Sequence, residues 1–512
     1  MNTLIMTLRT VRYLKAEQIV FRCLRKIHKP KLKNLTAPST ASFSRITDTI
    51  GKTEFLKDSK FRFHNLEGGF NGWNDLSHGQ LWVYSLNCMD FLEQQGADAG
   101  QCADWIDTFI HDQASNSIGF APYPVAIRCM NWLKFFSAHP EYATSNRLDS
   151  LYSQLVMLSK MTERQILGNH ILEDAITLYV GASAFKDRCL GLKAQRLLKR
   201  ELERQILPDG AHFEQSPTYH CVMTEKVLDC INLTAGNGFL NLDQLLSDKA
   251  QRMVGHLKSI IWDDQTTPLF GDSNYGSESL PSAILDYATR LGMDSAPSPM
   301  KECGYRKFRS ERIEVIIDAG NITASYQPGH SHADTFSYEM RIDGKPFIVD
   351  TGISTYDKTA RRQYERGTSA HNTVVYAGLD SSQVWGGFRM GSRASVSIIK
   401  ESDNYIEASH DGYGNSHIHT RSFKLNINEL TINDRLTGQK EKVSFIHFSP
   451  DTVVLAADNS EIRTDKAVIR LTGATNVAII ETQVSQEFNN LQPSKTAMIA
   501  FGDTLVQIIA PN

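Results

Sequence analysis

The chain has 512 residues, enough for two or three domains of ordinary size. Hydrophobic residues make up 41% and charged residues 22%, which is ordinary for a globular protein. The net charge of −3 argues against a general nucleic-acid binder, whose footprint is strongly basic. An acidic polymer would need a local basic cleft, for which Arg128, Arg361, Arg362, Arg366, Arg389 and Arg393 are candidates; the plain alternative is that most are solvated surface charges.

Residues 1–60 read as an N-terminal arm. Met1 to Lys26 mixes arginines and lysines with short apolar runs, and it has neither an uninterrupted signal-peptide core nor a small-residue cleavage site. No segment approaches the apolar length of a transmembrane helix. Both features point to a cytoplasmic location. Eight cysteines, at 23, 88, 102, 129, 189, 221, 230 and 303, have no repeating interval and read as buried thiols rather than a disulfide framework.

Residues 61–300 carry apolar residues at helical spacing in successive segments: 81–92, 105–111, 125–136, 148–161, 171–185, 190–206, 218–233 and 245–262, with short polar or Gly/Pro breaks between them. Paired helices at this spacing suit a bundle, a solenoid or a closed α/α toroid. After Pro297-Ser298-Pro299 the period changes to two. Residues 301–512 then read as strands at 312–317, 336–342, 346–349, 372–376, 394–399, 422–427, 442–447, 467–471, 477–481 and 496–501, with Asp343-Gly344 as a strong hairpin signal. Little helix intervenes, so this half is expected to be a large antiparallel β-sandwich and the whole chain an α+β multidomain protein.

Proton-handling residues occur in both halves. In the helical half, Gly168-Asn169-His170 opens an apolar helix, and Asp209-Gly210-Ala211-His212-Phe213-Glu214-Gln215-Ser216-Pro217-Thr218-Tyr219-His220 opens another. Asn169 also reads as a helix N-cap, and Ser216-Pro217 as a cap followed by Pro at the first helical position. In the β half stand Gly329-His330-Ser331-His332-Ala333-Asp334, Val349-Asp350-Thr351-Gly352 and Ala370-His371-Asn372-Thr373. His332, Asp350 and His371 offer two imidazoles and a carboxylate from neighbouring strands, a set that suits zinc. His330, two residues before His332, projects to the same side of an extended strand and can stand beside such a metal without being a ligand.

Taken in order, these motifs resemble the heparinase II/III family of polysaccharide lyases. The similarity also reaches Pro122-Tyr123-Pro124-Val125 through Arg128, Asn131 and Trp132, and Leu269-Phe270-Gly271-Asp272-Ser273, so it spans most of the chain. The resemblance implies an incomplete α/α toroid followed by an antiparallel β-sandwich, with the site in a cleft between them. It also implies β-elimination on a uronic-acid-containing acidic polysaccharide of the glycosaminoglycan type. Exported relatives make a periplasmic location an alternative to the cytoplasm.

That reaction needs three things: removal of the C5 proton, stabilisation of the charge that develops on the carboxyl group, and protonation of the C4 leaving oxygen. Asn169 and His330 are expected to neutralise the carboxylate. Tyr219 is the expected base, acid or both; because a free tyrosine has a pKa near 10, the base role demands nearby positive charge or hydrogen-bond donors. His170 is the second candidate base. Glu214, Arg128, Tyr364 and Arg366 are expected to contact substrate, although Tyr356 competes with Tyr364 for a place at the cleft, and Glu214 and His212 are alternatively supports for Tyr219. Asp334 reads as an orienting partner for a histidine or as a strand-end cap. Zinc on His332, Asp350 and His371 is expected to be structural, fixing the strands that present His330. Two other readings stay open: hydrolysis by paired carboxylates among Glu173, Asp174 and Glu214, and a non-catalytic glycan-binding protein serving polysaccharide assembly.

Overall fold

The apolar spacing between residues 80 and 290 forms helices Gln80–Cys88, Ala99–Asp112, Pro122–Ala138, Ser145–Leu158, Asn169–Phe185, Arg188–Gln205, Pro217–Thr234, Asp243–Ile260 and Pro281–Arg290 in a computed structural model. It describes every residue except 1–2, 54, 58–59, 237, 239 and 277–279. Helix starts follow local chemistry. Asp98 accepts from the Gln101 amide, Asp187 from Cys189 and Leu190, and Ser216 from Tyr219, each satisfying amides that the first helical turn leaves unpaired.

Helix Asn169–Phe185 sits at the centre of this half. Every residue in it except His170 is buried, because Pro122–Ala138, Arg188–Gln205 and Pro217–Thr234 pack around it. The helix is surrounded, so its polar side chains Glu173, Asp174 and Thr177 are buried along with the apolar ones. The core of this half includes Trp82, Trp132, Phe136, Leu172, Tyr179, Met223 and Trp262.

From Tyr305 the chain is mostly strand. A four-stranded antiparallel sheet runs Tyr305–Arg309, Ile313–Asp318, Tyr338–Ile342 and Lys345–Ile348 in chain order. The Asp343-Gly344 turn has φ of 49° and 75°, the paired positive values of a tight hairpin turn, which an Asp-Gly pair tolerates best. A larger antiparallel sheet contains Val396–Ser402, Tyr405–His410, His419–Leu425 and Leu430–Leu436, then the long pair Ala467–Glu487 and Asn490–Pro511. Strand Leu430–Leu436 shows why it lies flat on the core: Leu430, Ile432 and Leu436 alternate inward while Thr431, Asn433 and Arg435 face away. The facing sheets enclose a second core that includes Tyr338, Phe347, Phe423, Ile446, Phe448 and Ile509.

Several expectations are corrected. Segments 467–471 and 477–481 are parts of one strand, Ala467–Glu487, whose register shifts around Ala474, so the polar residues between them mark an irregularity and not a turn. The boundary at residue 60 falls inside a three-stranded sheet, Leu56–Lys57, Lys60–Phe63 and Leu66–Gly69, in which Leu56 pairs with Phe61. Phe61 and Phe63 anchor that sheet against Phe91, Trp105 and Trp82. Two of the eight cysteines, Cys23 and Cys189, are exposed; the other six are buried, and all eight are free thiols. Within the arm, Thr3–Val11 and Ala16–Ile27 are helices.

Candidate active site

A cleft of about 620 Å³ lies where the helical half meets the sandwich. Tyr123, Glu173, Tyr219 and Lys226 line it from the helices, and Tyr356 and Phe488 from the strand-rich half. Its rim is bridged by a turn-to-turn contact: His64 meets Phe488 edge to face, and Asn65 Nδ2 donates to Glu487 Oε2 at 3.1 Å.

Tyr219 is placed by the start of its helix. Ser216 Oγ accepts from the Tyr219 amide at 3.3 Å and donates to the Asp272 carbonyl at 2.8 Å, while Pro217 supplies the first helical residue. The side chain therefore leaves the first turn, where the helix dipole is positive. Its ring lies on the His330 imidazole with centroids 3.7 Å apart and 12° between planes. Its hydroxyl is 3.1 Å from that of Tyr356. Burial pushes the Tyr356 phenol well above its ordinary pKa, so Tyr356 stays protonated and can donate to the Tyr219 oxygen.

Glu214 ties three site residues together. One carboxylate oxygen accepts from the Asn169 amide at 2.8 Å, and the other bonds His330 Nδ1. Burial would raise the Glu214 carboxyl, but His330 and the bonds it receives hold it below its ordinary value. Gly168 makes this approach possible: its φ is +70°, and a Cβ there would stand 2.4 Å from Glu214 Oε1. Glu214 is thus a buried carboxylate that positions His330 and the Asn169 backbone amide. Asn169 is the first residue of its helix and Gly168 is the cap, so the N-cap alternative for Asn169 is corrected. Asn169 Nδ2 donates to Glu173 Oε1 at 3.2 Å, and burial pushes Glu173 up to about 7.

His170 has partners of its own. Its Nδ1 lies 2.6 Å from Glu163 Oε2 and its ring packs on Tyr123 at 4.7 Å. Its partial burial would lower it, but Glu163 outweighs that and raises it to about 9. At neutral pH His170 is an imidazolium. His212 is buried, 3.1 Å from Gln205 Oε1, and burial lowers it to about 4.

The histidines of the strand-rich half form two carboxylate pairs. His332 Nε2 is 2.7 Å from Asp272 Oδ1, and Asp272 is clamped by Arg362 through contacts of 2.5 and 2.7 Å. His371 Nδ1 is 2.7 Å from Asp350 Oδ2, and Gly352 donates to the other Asp350 oxygen. The two imidazole centroids are 5.3 Å apart. His332 Nδ1 and His371 Nε2 are both buried with no hydrogen-bond partner among the described residues, and such atoms need an explanation that a bound ion would provide. In residue type and in these uncommitted nitrogens the donor set suits zinc, but His332, Asp350 and His371 do not bring one ligand atom each within 4.8 Å of one another. Among the described residues the trio that does gather its ligand-type atoms within 4.8 Å is Asp209, His256 and Cys303. There the Asp209 oxygens accept from the Ala211 and Cys303 amides and the thiol donates to the Met300 carbonyl, as in a loop tie.

Three residues expected at the substrate lie elsewhere. Arg128 is buried in the helical core, bonded to Gln154 Oε1 and the Asn87 carbonyl and packed 4.0 Å from the Phe109 centroid. Arg366 is buried too and donates to the carbonyls of Pro328, Ser331 and Arg389, so it shapes the loop that carries His330. Tyr364 stacks under Arg361 at 5.2 Å, and Tyr356 takes the cleft position instead. The sequence signal for Tyr356 over Tyr364 was absent, because both lie in one irregular segment. A charged group on the cleft wall also escaped notice: Lys52 bonds both Glu225 oxygens at 2.7 and 3.0 Å, beside Lys226.

Residues 149–292 match the family described as Heparinase II/III N-terminus, and residues 292–507 match Heparinase II/III-like, C-terminal. A heparin-sulfate lyase of Bacteroides stercoris is 26% identical over 235 residues, which is 41% of this chain and 35% of that protein. One from Pedobacter heparinus is 28% identical over 265 residues, 44% of this chain and 38% of the relative. The matched stretch thus spans little more than a third of these relatives' length. Among solved structures, a mutant heparan sulfate lyase from Pedobacter heparinus superposes with a TM-score of 0.61 at 18% identity, covering 96% of this chain and 87% of the other. A structure of heparinase III gives 0.62 at 13% identity, covering 97% and 89%. These likenesses show the fold, an α/α toroid followed by an antiparallel β-sandwich. Since the two matched regions adjoin and together cover well over half of the sequence, the chain belongs to the heparinase II/III family.

Proposed function

We propose that this protein is a polysaccharide lyase that cleaves a uronic-acid-containing acidic polysaccharide by β-elimination. The observation that carries this reading is the stack of Tyr219 on His330 at a cleft between the two halves, with Glu214 holding both His330 and the Asn169 amide. Relatives named heparin-sulfate lyase support an acidic, uronate-bearing substrate.

In this mechanism the Tyr219 oxygen takes the C5 proton. The electron pair left on C5 delocalises into the carboxylate, where His330 and Asn169 offset the developing charge. The C4–O bond then breaks, a C4=C5 double bond forms, and the leaving oxygen takes its proton from Tyr219. Tyr356, protonated, donates to the Tyr219 oxygen and favours its charged form. His170 serves as a cation rather than a base at neutral pH, because its proton is held by Glu163. Hydrolysis by paired carboxylates fits less well: Glu214 is committed to His330 and Asn169, and Asp174 is buried with one oxygen on the Glu163 amide.

A zinc ion would be held by His332, Asp350 and His371 and would tie the strands behind His330 together. The experiment that tests the function is a screen of acidic polysaccharides for the ultraviolet absorbance of the conjugated unsaturated product. Reducing ends that accumulate without that absorbance would indicate hydrolysis and overturn the proposal.

A further inference from the structure

The two N-terminal helices are amphipathic in the reverse of the usual sense. A helix on the surface of a globular protein buries its apolar stripe and turns its polar face to water. Helix Ala16–Ile27 docks by its polar side instead. Gln18, 1% exposed, donates to the carbonyls of Ile166 and Tyr326 at 3.0 and 3.1 Å. Glu17 meets Arg164, Arg200 and Arg204 at 3.0–3.6 Å, and Arg25 faces Glu163 at 3.9 Å. At 100° per residue, Ile19, Val20, Cys23, Leu24 and Ile27 share the opposite face. That face is outward: Val20 is 53% exposed, Leu24 47% and Ile27 86%.

Helix Thr3–Val11 repeats the arrangement. Thr10 Oγ1 donates to the Met390 carbonyl and accepts from Trp385 Nε1, both at 3.1 Å, while Ile5, Leu8 and Val11 are exposed. The segment is also the most basic in the chain. Residues 1–33 hold nine lysines and arginines against one carboxylate, Glu17, in a protein whose net charge is −3. Lys26, Lys29, Lys31 and Lys33 are exposed beside the apolar face.

We propose that this arm is a membrane-surface anchor that lays its apolar faces into the headgroup region of an anionic bilayer. Aliphatic side chains flanked by lysines and arginines are the pattern of helices that lie in a lipid interface, where the apolar face leaves water and the cations meet acidic headgroups. An acidic polysaccharide would use the cations but gain nothing from Val20, Leu24 and Ile27. A second copy of the chain would set one basic rim against another, since a two-fold contact pairs a patch with itself. The arm lies on the surface without spanning: among the described residues, no helix is long and apolar enough to cross a membrane.

The test is flotation of the full chain with vesicles of phosphatidylcholine alone and of phosphatidylcholine mixed with phosphatidylglycerol. The protein is expected to float with the mixed vesicles, to bind pure phosphatidylcholine more weakly, and to be released by salt. Val20→Asp/Leu24→Asp should weaken binding by about tenfold or more while leaving the melting temperature unchanged, because both side chains face water. Lys26→Glu/Lys29→Glu is the second variant and should remove the preference for phosphatidylglycerol. Failure of the parent protein to float with either vesicle overturns the proposal, and so does unchanged flotation of both variants. A concentration-dependent dimer that Val20→Asp/Leu24→Asp abolishes, without vesicle binding, would instead assign the face to a second copy.

Discussion

The Tyr219 ring lies flat against the imidazole of His330, 3.7 Å between centroids and 12° from parallel. One residue comes from a helix start and the other from a loop of the strand-rich half, so each half supplies one member of the pair. This stack places the proposed proton carrier beside the proposed carboxylate neutraliser. Replacing only the phenolic oxygen, as in Tyr219→Phe, preserves the ring contact and removes the proton-transfer group. Turnover should fall by about 10²- to 10⁴-fold with little change in melting temperature or KM. Turnover within a factor of about two of the parent would remove Tyr219 from the mechanism.

Glu214 acts through other groups, and its variant should show it. Glu214→Gln keeps the shape but removes the charge that orients His330 and draws in the Asn169 amide. Loss of charge-assisted bonds in a buried site costs about 1–3 kcal/mol of stability. Turnover is expected to fall by roughly tenfold to a hundredfold, as for removal of an orienting partner, with KM moved much less than kcat. Glu214→Asp should recover part of the rate. A variant that melts earlier but keeps full turnover would leave Glu214 with a purely structural role.

Much of this arrangement was legible in the sequence, and the reasons are local. Ser216-Pro217 announces a helix start and thereby the exit direction of Tyr219, and Asp343-Gly344 announces its hairpin. Long apolar periods located the helices because each has to bury a face. Partners contributed by distant segments were not legible: Tyr356 against Tyr219, Glu163 against His170, and Asp272 between His332 and Arg362 are joined only by the tertiary fold. Arg128 and Arg366 misled for a related reason. A charge read along the chain looks available to a ligand, yet both guanidiniums are consumed by buried carbonyl and amide oxygens. The arm helices are amphipathic in sequence, but which face they turn outward is set by contacts with distant segments, such as Gln18 with the Ile166 and Tyr326 carbonyls.

The His170–Glu163 pair makes stability depend on pH. His170 is raised from 6.5 to about 9 in the folded chain, so between those values the native state holds a proton that the unfolded chain gives up. Its stabilisation is complete below about pH 6.5 and is lost as pH rises through about 9. Urea midpoints measured from about pH 6 to pH 9.5 should therefore fall more steeply for the parent than for Glu163→Gln, whose His170 lacks the partner that raises it. Parallel curves for the two proteins would show that the pair is not coupled to folding.

His330 and His332, two residues apart, are expected to separate on substitution. His332 Nε2 is fixed by Asp272, which Arg362 clamps, and its Nδ1 is one of the two uncommitted imidazole nitrogens proposed to hold zinc. Removing that ligand should release the metal and lower the melting temperature, because a structural zinc site contributes directly to folding. His371→Ala should behave alike. His330 is instead bonded to Glu214 and stacked on Tyr219, the proposed proton carrier that lines the cleft. His330→Ala should retain zinc and most of the stability while losing turnover. Zinc analysis and melting curves on the three purified variants decide the matter: the division holds if metal is lost from His332→Ala and His371→Ala alone, and it fails if His330→Ala loses metal to the same extent.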